Sequence, residues 1–238
     1  SHAAATRAVE LVRSGEALLL MKGSLHTDEL MGAVVPAATG LRTERRISHA
    51  YLLDVPGHPA PLIITDAAIN IEPSLEDKAD IIRNAIDLAH VIGIACPKVA
   101  ILSAVETVNP AIRSTLDAAA LCKMADRGQI IGGVLDGPLA FDNAISEKAA
   151  KDKGIVSPVA GRAEVLVVPN LEAGNMLAKQ LTFLGGADAA GVVLGARVPI
   201  ILTSRADSLR TSVASCAIAV LLARATPKAT PGPIAKRS

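Results

Sequence analysis

The sequence predicts an α/β fold built on a largely parallel sheet. Two observations predict it. Short apolar runs alternate with stretches of helical periodicity along most of the 238 residues, and strands that alternate with helices pair in parallel. Half of the residues are hydrophobic, yet there are two Phe, one Tyr and no Trp. The core is therefore made of Ala, Val, Ile and Leu, which suits strands covered by helices on both faces.

The elements follow in order. Residues 3–14 carry apolar positions at helical spacing and stop near Gly15. Residues 17–21 form a continuous apolar run and read as a buried strand. A loop over residues 22–27 leads to a helix that Thr27 or Asp28 would cap and Pro36 would end. Residues 47–55 and 60–65 are strand-like, and Pro56-Gly57 between them makes an antiparallel hairpin. A loop rich in Asp and Asn precedes Ser74, which opens a long helix with Glu76 and Asp77 at its positive end. That helix stops near Gly93. Residues 98–103 form a strand, with a helix after Pro110. Residues 129–135 form another strand, with Asp136-Gly137-Pro138 as the loop behind it. Residues 164–169 form a strand, with a helix from about Glu172. Residues 198–202 form the last strand, and an Ala-rich helix spans about 208–223. The tail after Ala225 has no apolar period and reads as a disordered end.

Charge and composition exclude several classes. The formal net charge is +1, so no broad field draws the chain to nucleic acid or to a membrane. Aromatic platforms for stacking bases are nearly absent. No apolar run reaches the ~18 to 20 residues of a membrane span. Cys96, Cys122 and Cys216 fit no zinc spacing, and an odd count argues against a full disulfide framework. They read as free thiols of a cytoplasmic protein.

In parallel sheets ligands bind beyond the carboxyl ends of strands. That rule selects the loops at 22–27, 103–110, 136–142, 169–175 and 203–207. In the first, Lys22, Gly23, Ser24, His26 and Thr27 offer a cation, a permissive backbone, two hydroxyls and an imidazole at a helix start, which suits an anion such as phosphate. An ordinary capped turn explains the same residues equally well, and the spacing is not that of a Walker loop. Arg205 in the last loop can fork two hydrogen bonds onto phosphate, or it is an exposed arginine at a helix start. Asp136 and Asp142 are paired carboxylates or turn formers. His49, His58 and His90 read as packing or surface residues, and no Gly-x-Gly-x-x-Gly fingerprint follows a strand.

Four segments together resemble the phosphate acetyltransferase and phosphate butyryltransferase family. They are Lys22-Gly23-Ser24-Leu25-His26-Thr27; Asp136-Gly137-Pro138-Leu139-Ala140-Phe141-Asp142-Asn143-Ala144; Ser157-Pro158-Val159-Ala160-Gly161-Arg162-Ala163, with Val168-Pro169-Asn170-Leu171-Glu172-Ala173-Gly174-Asn175; and Pro199 with Leu202-Thr203-Ser204-Arg205. They stand in the family's order and span nearly the whole chain.

The resemblance implies a two-domain, three-layer α/β/α fold like that of isocitrate and isopropylmalate dehydrogenases. Residues 1–45 and 196–238 would form one discontinuous domain, and 46–195 the other. It implies that part of the family's first domain precedes Ser1, and that a hydratase domain can stand before such a unit. The implied reaction is acyl-CoA plus phosphate giving acyl phosphate plus CoA, with no metal or redox cofactor, in a homodimer. Ser204 and Arg205 match the family's pair that orients phosphate and the thioester carbonyl. Lys22, Gly23, Ser24, His26, Thr27, Asp136 and Asn175 are placed around the substrates. Two departures stand out. Thr211 occupies the position of the family's proposed thiol base, which leaves Asp207 as a substitute. Met31, Gly32 and Ala33 replace an Arg-Pro that faces CoA, a charge that Arg42, Arg45 or Arg46 would have to supply. Both point to the butyryltransferase-like branch and leave the acyl chain open. Two alternatives remain: a non-catalytic acyl-CoA-binding domain of a larger enzyme, and a metal-dependent dehydrogenase on the related fold.

Overall fold

The computed structural model describes residues 2–202 and 208–225. In chain order the elements are α1 (His2–Arg13), β1 (Leu20–Met21), α2 (Thr27–Val34), β2 (Ser48–Asp54), β3 (Leu62–Thr65), α3 (Leu75–Val91), β4 (Lys98–Leu102) and α4 (Arg113–Asp126). There follow β5 (Val134–Leu139), α5 (Phe141–Ile145), α6 (Glu147–Asp152), β6 (Val165–Val167), α7 (Leu171–Phe183), β7 (Asp188–Leu194), β8 (Ile200–Ile201) and α8 (Leu209–Ala225).

The described strands join in one sheet of eight, in the order β1-β8-β7-β2-β3-β6-β4-β5. Neighbouring residues on a strand point to opposite faces, and each face buries its own core. Ile63, Val99, Ile101, Val165 and Val167 pack with α3, α4 and Leu222 of α8. Ile64, Ala100, Leu102 and Leu166 pack on the other side with residues from α5, α6 and α7. This is the helix–sheet–helix sandwich that the small, branched composition favours.

The sheet is mixed, which corrects the largely parallel expectation. Parallel ladders join β1 to β8, β3 to β6, β6 to β4 and β4 to β5. Antiparallel ladders join β2 to β3, β2 to β7 and β7 to β8. The antiparallel core comes from the Pro56-Gly57 hairpin and from β7, a strand that sequence periodicity does not reveal. Ala189, Ala190 and Gly191 lack the branched side chains that mark strands. Yet β7 pairs with β2 along its whole length, from Ser48↔Leu194 to Asp54↔Asp188. Gly191 lies opposite Tyr51, and a Cβ there would meet the His49 and Tyr51 rings at 3.1 and 3.2 Å.

Four other expectations change. The strand expected at 129–135 lies instead at Val134–Leu139. Asp136, Gly137 and Pro138 are inside it, not in a loop. Pro138 is tolerated because β5 is an edge strand. The run at 17–21 supplies only two strand residues, with Leu18 and Met21 exposed. The N-cap of α2 is His26 rather than Thr27 or Asp28. Asp142 and Asn175 sit in α5 and α7, not in loops. The long helix opens at Ser74 as expected, with Ser74 and Asp77 bonding reciprocally at 3.1 and 3.0 Å.

Ladder direction also splits the five selected loops. β3, β6, β4 and β5 run one way, and β8 and β1 run the other. The loops after β4, β5 and β6 therefore leave the sheet in the opposite ladder sense from those after β1 and β8.

Candidate active site

The first cluster lies where β1 and β8 end side by side. The Lys22 N–H extends their ladder by donating to Ile201 O at 2.9 Å. The strands that lead into the first and fourth matched segments, far apart in sequence, are thus parallel neighbours. Lys22 is buried, and its ammonium donates to Gly23 O at 3.2 Å and Leu25 O at 3.1 Å. Gly23, Ser24 and His26 are exposed, and Thr27 begins α2. The His26 N–H donates to Glu29 at 3.1 Å, closing a capping box. Asp28 and Glu29 occupy the first turn. Ser204, Arg205 and Asp207 lie outside the described residues. Thr211 is in the first turn of α8, and its N–H donates to Ser208 Oγ at 3.1 Å.

A second cluster joins the second and third matched segments. The Gly161 N–H donates to Asn143 O at 2.7 Å, and the Ala163 N–H to Ala144 O at 3.1 Å. Asp142 is exposed and paired with Lys153 at 3.1 Å. The hydrogen bond from Lys153 holds the Asp142 carboxyl below its usual range. Asp136 is half-buried, and its Oδ1 accepts from the Gly137 N–H at 2.8 Å, a turn-former's bond within a strand. The structure shows no contact of Asp136 with Lys22 or its loop.

Sequence reasoning missed Asp66. It stands at the end of β3, 3% exposed. Its carboxylate accepts from the N–H groups of His49, Ala68 and Ile69 at 3.1, 2.9 and 3.0 Å, and from Asn70 Nδ2 at 2.6 Å. Asn70 in turn accepts from Arg46 Nε at 2.7 Å. Asn175 reaches the same place, with Nδ2 donating to Ala67 O at 3.1 Å. Gly174 allows it, because a Cβ there would stand 2.5 Å from Asp66 O. A lone Asp after a strand with Asn four residues on was the only signal.

Two further expectations are placed. Arg45 pairs with Asp87, and Arg46 with Asp77 at 3.4 Å. Of the three arginines considered for CoA, only Arg42 has no carboxylate partner among the described residues. His49 is buried and packs edge-on against Tyr51 with centroids 4.5 Å apart, and His90 Nε2 lies 2.8 Å from Gly132 O.

The three cysteines are free. Burial, with the charges of Asp136 and Asp126, pushes the Cys122 thiol up to about 12. Cys122 is therefore a neutral packing group and no nucleophile. At pH 8 Cys96, which is exposed, is expected to be alkylated by iodoacetamide while Cys122 stays unmodified, as read by peptide mass. Faster modification of Cys122 would contradict this assignment. Between pH 9 and about 12 the folded chain keeps a proton that the unfolded chain releases, so this thiol's contribution to stability falls as pH rises through that window. Among the described residues no three His, Cys, Asp or Glu are grouped to hold a metal ion, and no helix is long and apolar enough to cross a membrane.

The family model described as "Phosphate acetyl/butaryl transferase" matches residues 2–220. This chain belongs to the phosphate acetyl/butyryl transferase family. It is 71% identical over 223 residues to a phosphate acetyltransferase of Rhizobium meliloti, covering 94% of this chain and 71% of that protein. It is 48% identical to a phosphate butyryltransferase of Clostridium beijerinckii, over 92% of this chain and 73% of the relative. The structure matches a branched-chain phosphotransacylase from Enterococcus faecalis V583 with a TM-score of 0.84 at 34% identity, over 92% of this chain and 78% of that one. The chain spans 63% to 74% of the length of such relatives. The acyltransferase family expected from the four segments is the one shown.

Proposed function

We propose that this chain catalyses reversible transfer of a short acyl group between coenzyme A and inorganic phosphate, giving acyl phosphate and CoA. One observation carries the reading beyond family membership: the β1–β8 ladder sets the Lys22 loop beside the strand that leads into Ser204-Arg205. In this reading Arg205 holds phosphate, Ser204 orients the thioester carbonyl, and Asp207 takes the thiol proton in the reverse direction. Ser24, His26 and Thr27 face the substrates. Preorganised donors of this kind stabilise the oxyanion of the tetrahedral intermediate, and holding both substrates in line lowers the entropic barrier. No metal or redox cofactor is required for that chemistry.

The reading includes two lobes, residues 1–45 with 196–238 and residues 46–195, closing over the substrates. A core centred on the first lobe supports it, built from Ala5, Val9, Val12, Leu20, Leu30, Leu41, Ile200 and Leu202, with Ile47 and Val193 joining it from the other lobe. Leu222 packs across the division. Five ladder steps separate β8 from β4. At roughly 20° to 25° of twist per step β4 is turned by about 100° to 125° from β8, which brings the directions of their carboxyl ends closer than a flat sheet would. We place the enzyme in the cytoplasm as a homodimer, on the strength of the free thiols and the family. The 71% identity to an acetyltransferase favours acetyl as the acyl group, against the leaning that Thr211 and the absent Arg-Pro gave.

The test is phosphate-dependent release of free thiol from acetyl-, propionyl- and butyryl-CoA by the full-length protein. Arg205→Ala is expected to lower that rate about a hundredfold, the size of losing one oxyanion donor. A folded, CoA-binding protein with no phosphate-dependent release would sink the reading and leave a non-catalytic acyl-CoA-binding domain.

A further inference from the structure

Lys22 is 7% exposed, and among the described residues its ammonium meets two carbonyl oxygens and no carboxylate. A buried cation without a counter-charge is costly, and its two partners show what it does. Gly23 O and Leu25 O belong to trans peptides, because the cis bonds of the described residues are Thr65–Asp66 and Gly137–Pro138. In a trans peptide the N–H points away from its carbonyl. The N–H groups of Ser24 and His26 are therefore turned away from the ammonium. His26 spends its N–H on Glu29. The Ser24 N–H, with those of Gly23 and Leu25 beside it, finds no acceptor in the described protein, and Gly23 and Ser24 are exposed.

We propose that Lys22 is a positioning residue that makes residues 23–25 a cradle for a phosphate-type oxyanion. The oxyanion sits on the Ser24 N–H, and the ammonium polarises the Gly23–Ser24 peptide from behind. A donor chain of ammonium, carbonyl, N–H and anion strengthens each of its bonds, and successive free backbone N–H groups form an anion-binding concavity. Lys22 therefore touches the peptide rather than the substrate. The proposal rests on the acyltransferase reading, which supplies two sources of that chemistry: inorganic phosphate and the phosphates of CoA.

Two variants test it. Lys22→Met keeps the stem and removes the charge. Ser24→Pro removes the N–H and leaves Lys22 in place, so it decides the matter if the first variant does not fold. Half-saturation is measured for phosphate, acetyl-CoA and acetyl-pantetheine, a thioester without CoA's nucleotide phosphates. The phosphate-induced and CoA-induced rises in Tm are measured beside it. Both variants are expected to raise half-saturating phosphate about tenfold or more, the loss of one charge-assisted hydrogen bond. Their kcat at saturating phosphate changes far less, and the phosphate-induced rise in Tm disappears. If acetyl-CoA half-saturation rises instead while that of acetyl-pantetheine does not, the cradle holds CoA's phosphates. Unchanged half-saturation and unchanged Tm rises in both variants overturn the proposal. A wild type without turnover sinks the acyltransferase reading alone, because the Tm rises still report on the cradle.

Discussion

Asp117→Ala is expected to destabilise the fold by about 3 to 5 kcal/mol, the range for removing one partner of a buried ion pair. Lys78 and Asp117 are 5% and 8% exposed, with Nζ and Oδ2 2.6 Å apart. They join α3 to α4, the two helices that cover the Ile63, Val99 and Ile101 face of the sheet. Taking away the carboxylate leaves a buried ammonium without its counter-charge. Lys78→Met is expected to cost less, because Arg113 Nε stands 4.0 Å from the stranded carboxylate. The double variant Lys78→Met, Asp117→Leu is expected to return most of the loss, since two apolar groups bury no charge. Urea unfolding of the three variants checks this. A loss under about 1 kcal/mol for Asp117→Ala would show that the pair is solvated, contrary to its burial.

That pair also shows where sequence reading ends. The long helix from Ser74 was legible because its capping box and apolar period are local. So were the hairpin at Pro56-Gly57 and the strands at β4 and β6, whose apolar runs are bounded by turn residues. Lys78 and Asp117, 39 residues apart, read as two ordinary surface charges, since only the packing of helix on helix buries them. β7 was hidden for a different reason. Its Ala-Ala-Gly stretch has little strand propensity, and it is held as a strand by its partners, the full ladder to β2 and the rings of His49 and Tyr51 over Gly191. Missing that strand made the sheet look parallel, and a parallel sheet gathers every selected loop at one edge. The strand β5 was displaced by the turn chemistry of Gly137-Pro138, which an edge strand accommodates.

The candidate site divides in the same way. The Lys22 loop and the Ser204-Arg205 segment were singled out by residue type and by resemblance; the first follows β1, which pairs with β8, the strand that precedes the second in sequence. What the sequence did not show is where the Lys22 ammonium points. A lysine beside a glycine suggests an exposed charge reaching for phosphate, whereas the structure folds the ammonium back onto two carbonyls of its own loop. Asp66 was not singled out because its partners lie on β2, in the following turn and four residues ahead, and only the fold brings them together.

Asp66→Ala is therefore the second large effect expected, a loss of about 3 kcal/mol or more. Three backbone N–H groups and one amide of Asn70 converge on this carboxylate. Buried donors left without an acceptor each cost about 1 to 3 kcal/mol; alanine removes the acceptor from all four, of which the Ala68 and Ile69 N–H groups are half-buried and Asn70 Nδ2 keeps Ile47 O at 2.9 Å. Relaxation and entering water reduce the sum, so the loss falls short of simple addition. Asp66→Asn keeps the shape and one acceptor oxygen but presents an amide to donors, and it is expected to recover only part of the stability. The consequence reaches the second cluster. Ala67 O holds Asn175, and Asp66 O lies against Gly174, so loosening the end of β3 loosens the first turn of α7 as well. Hydrogen exchange should show it: in Asp66→Asn the amides of residues 68, 69 and 171–175 are expected to exchange faster than in wild type, while those of β4 and α3 keep their protection. Uniform acceleration across the chain would mean that Asp66 supports global stability alone and does not fix the start of α7.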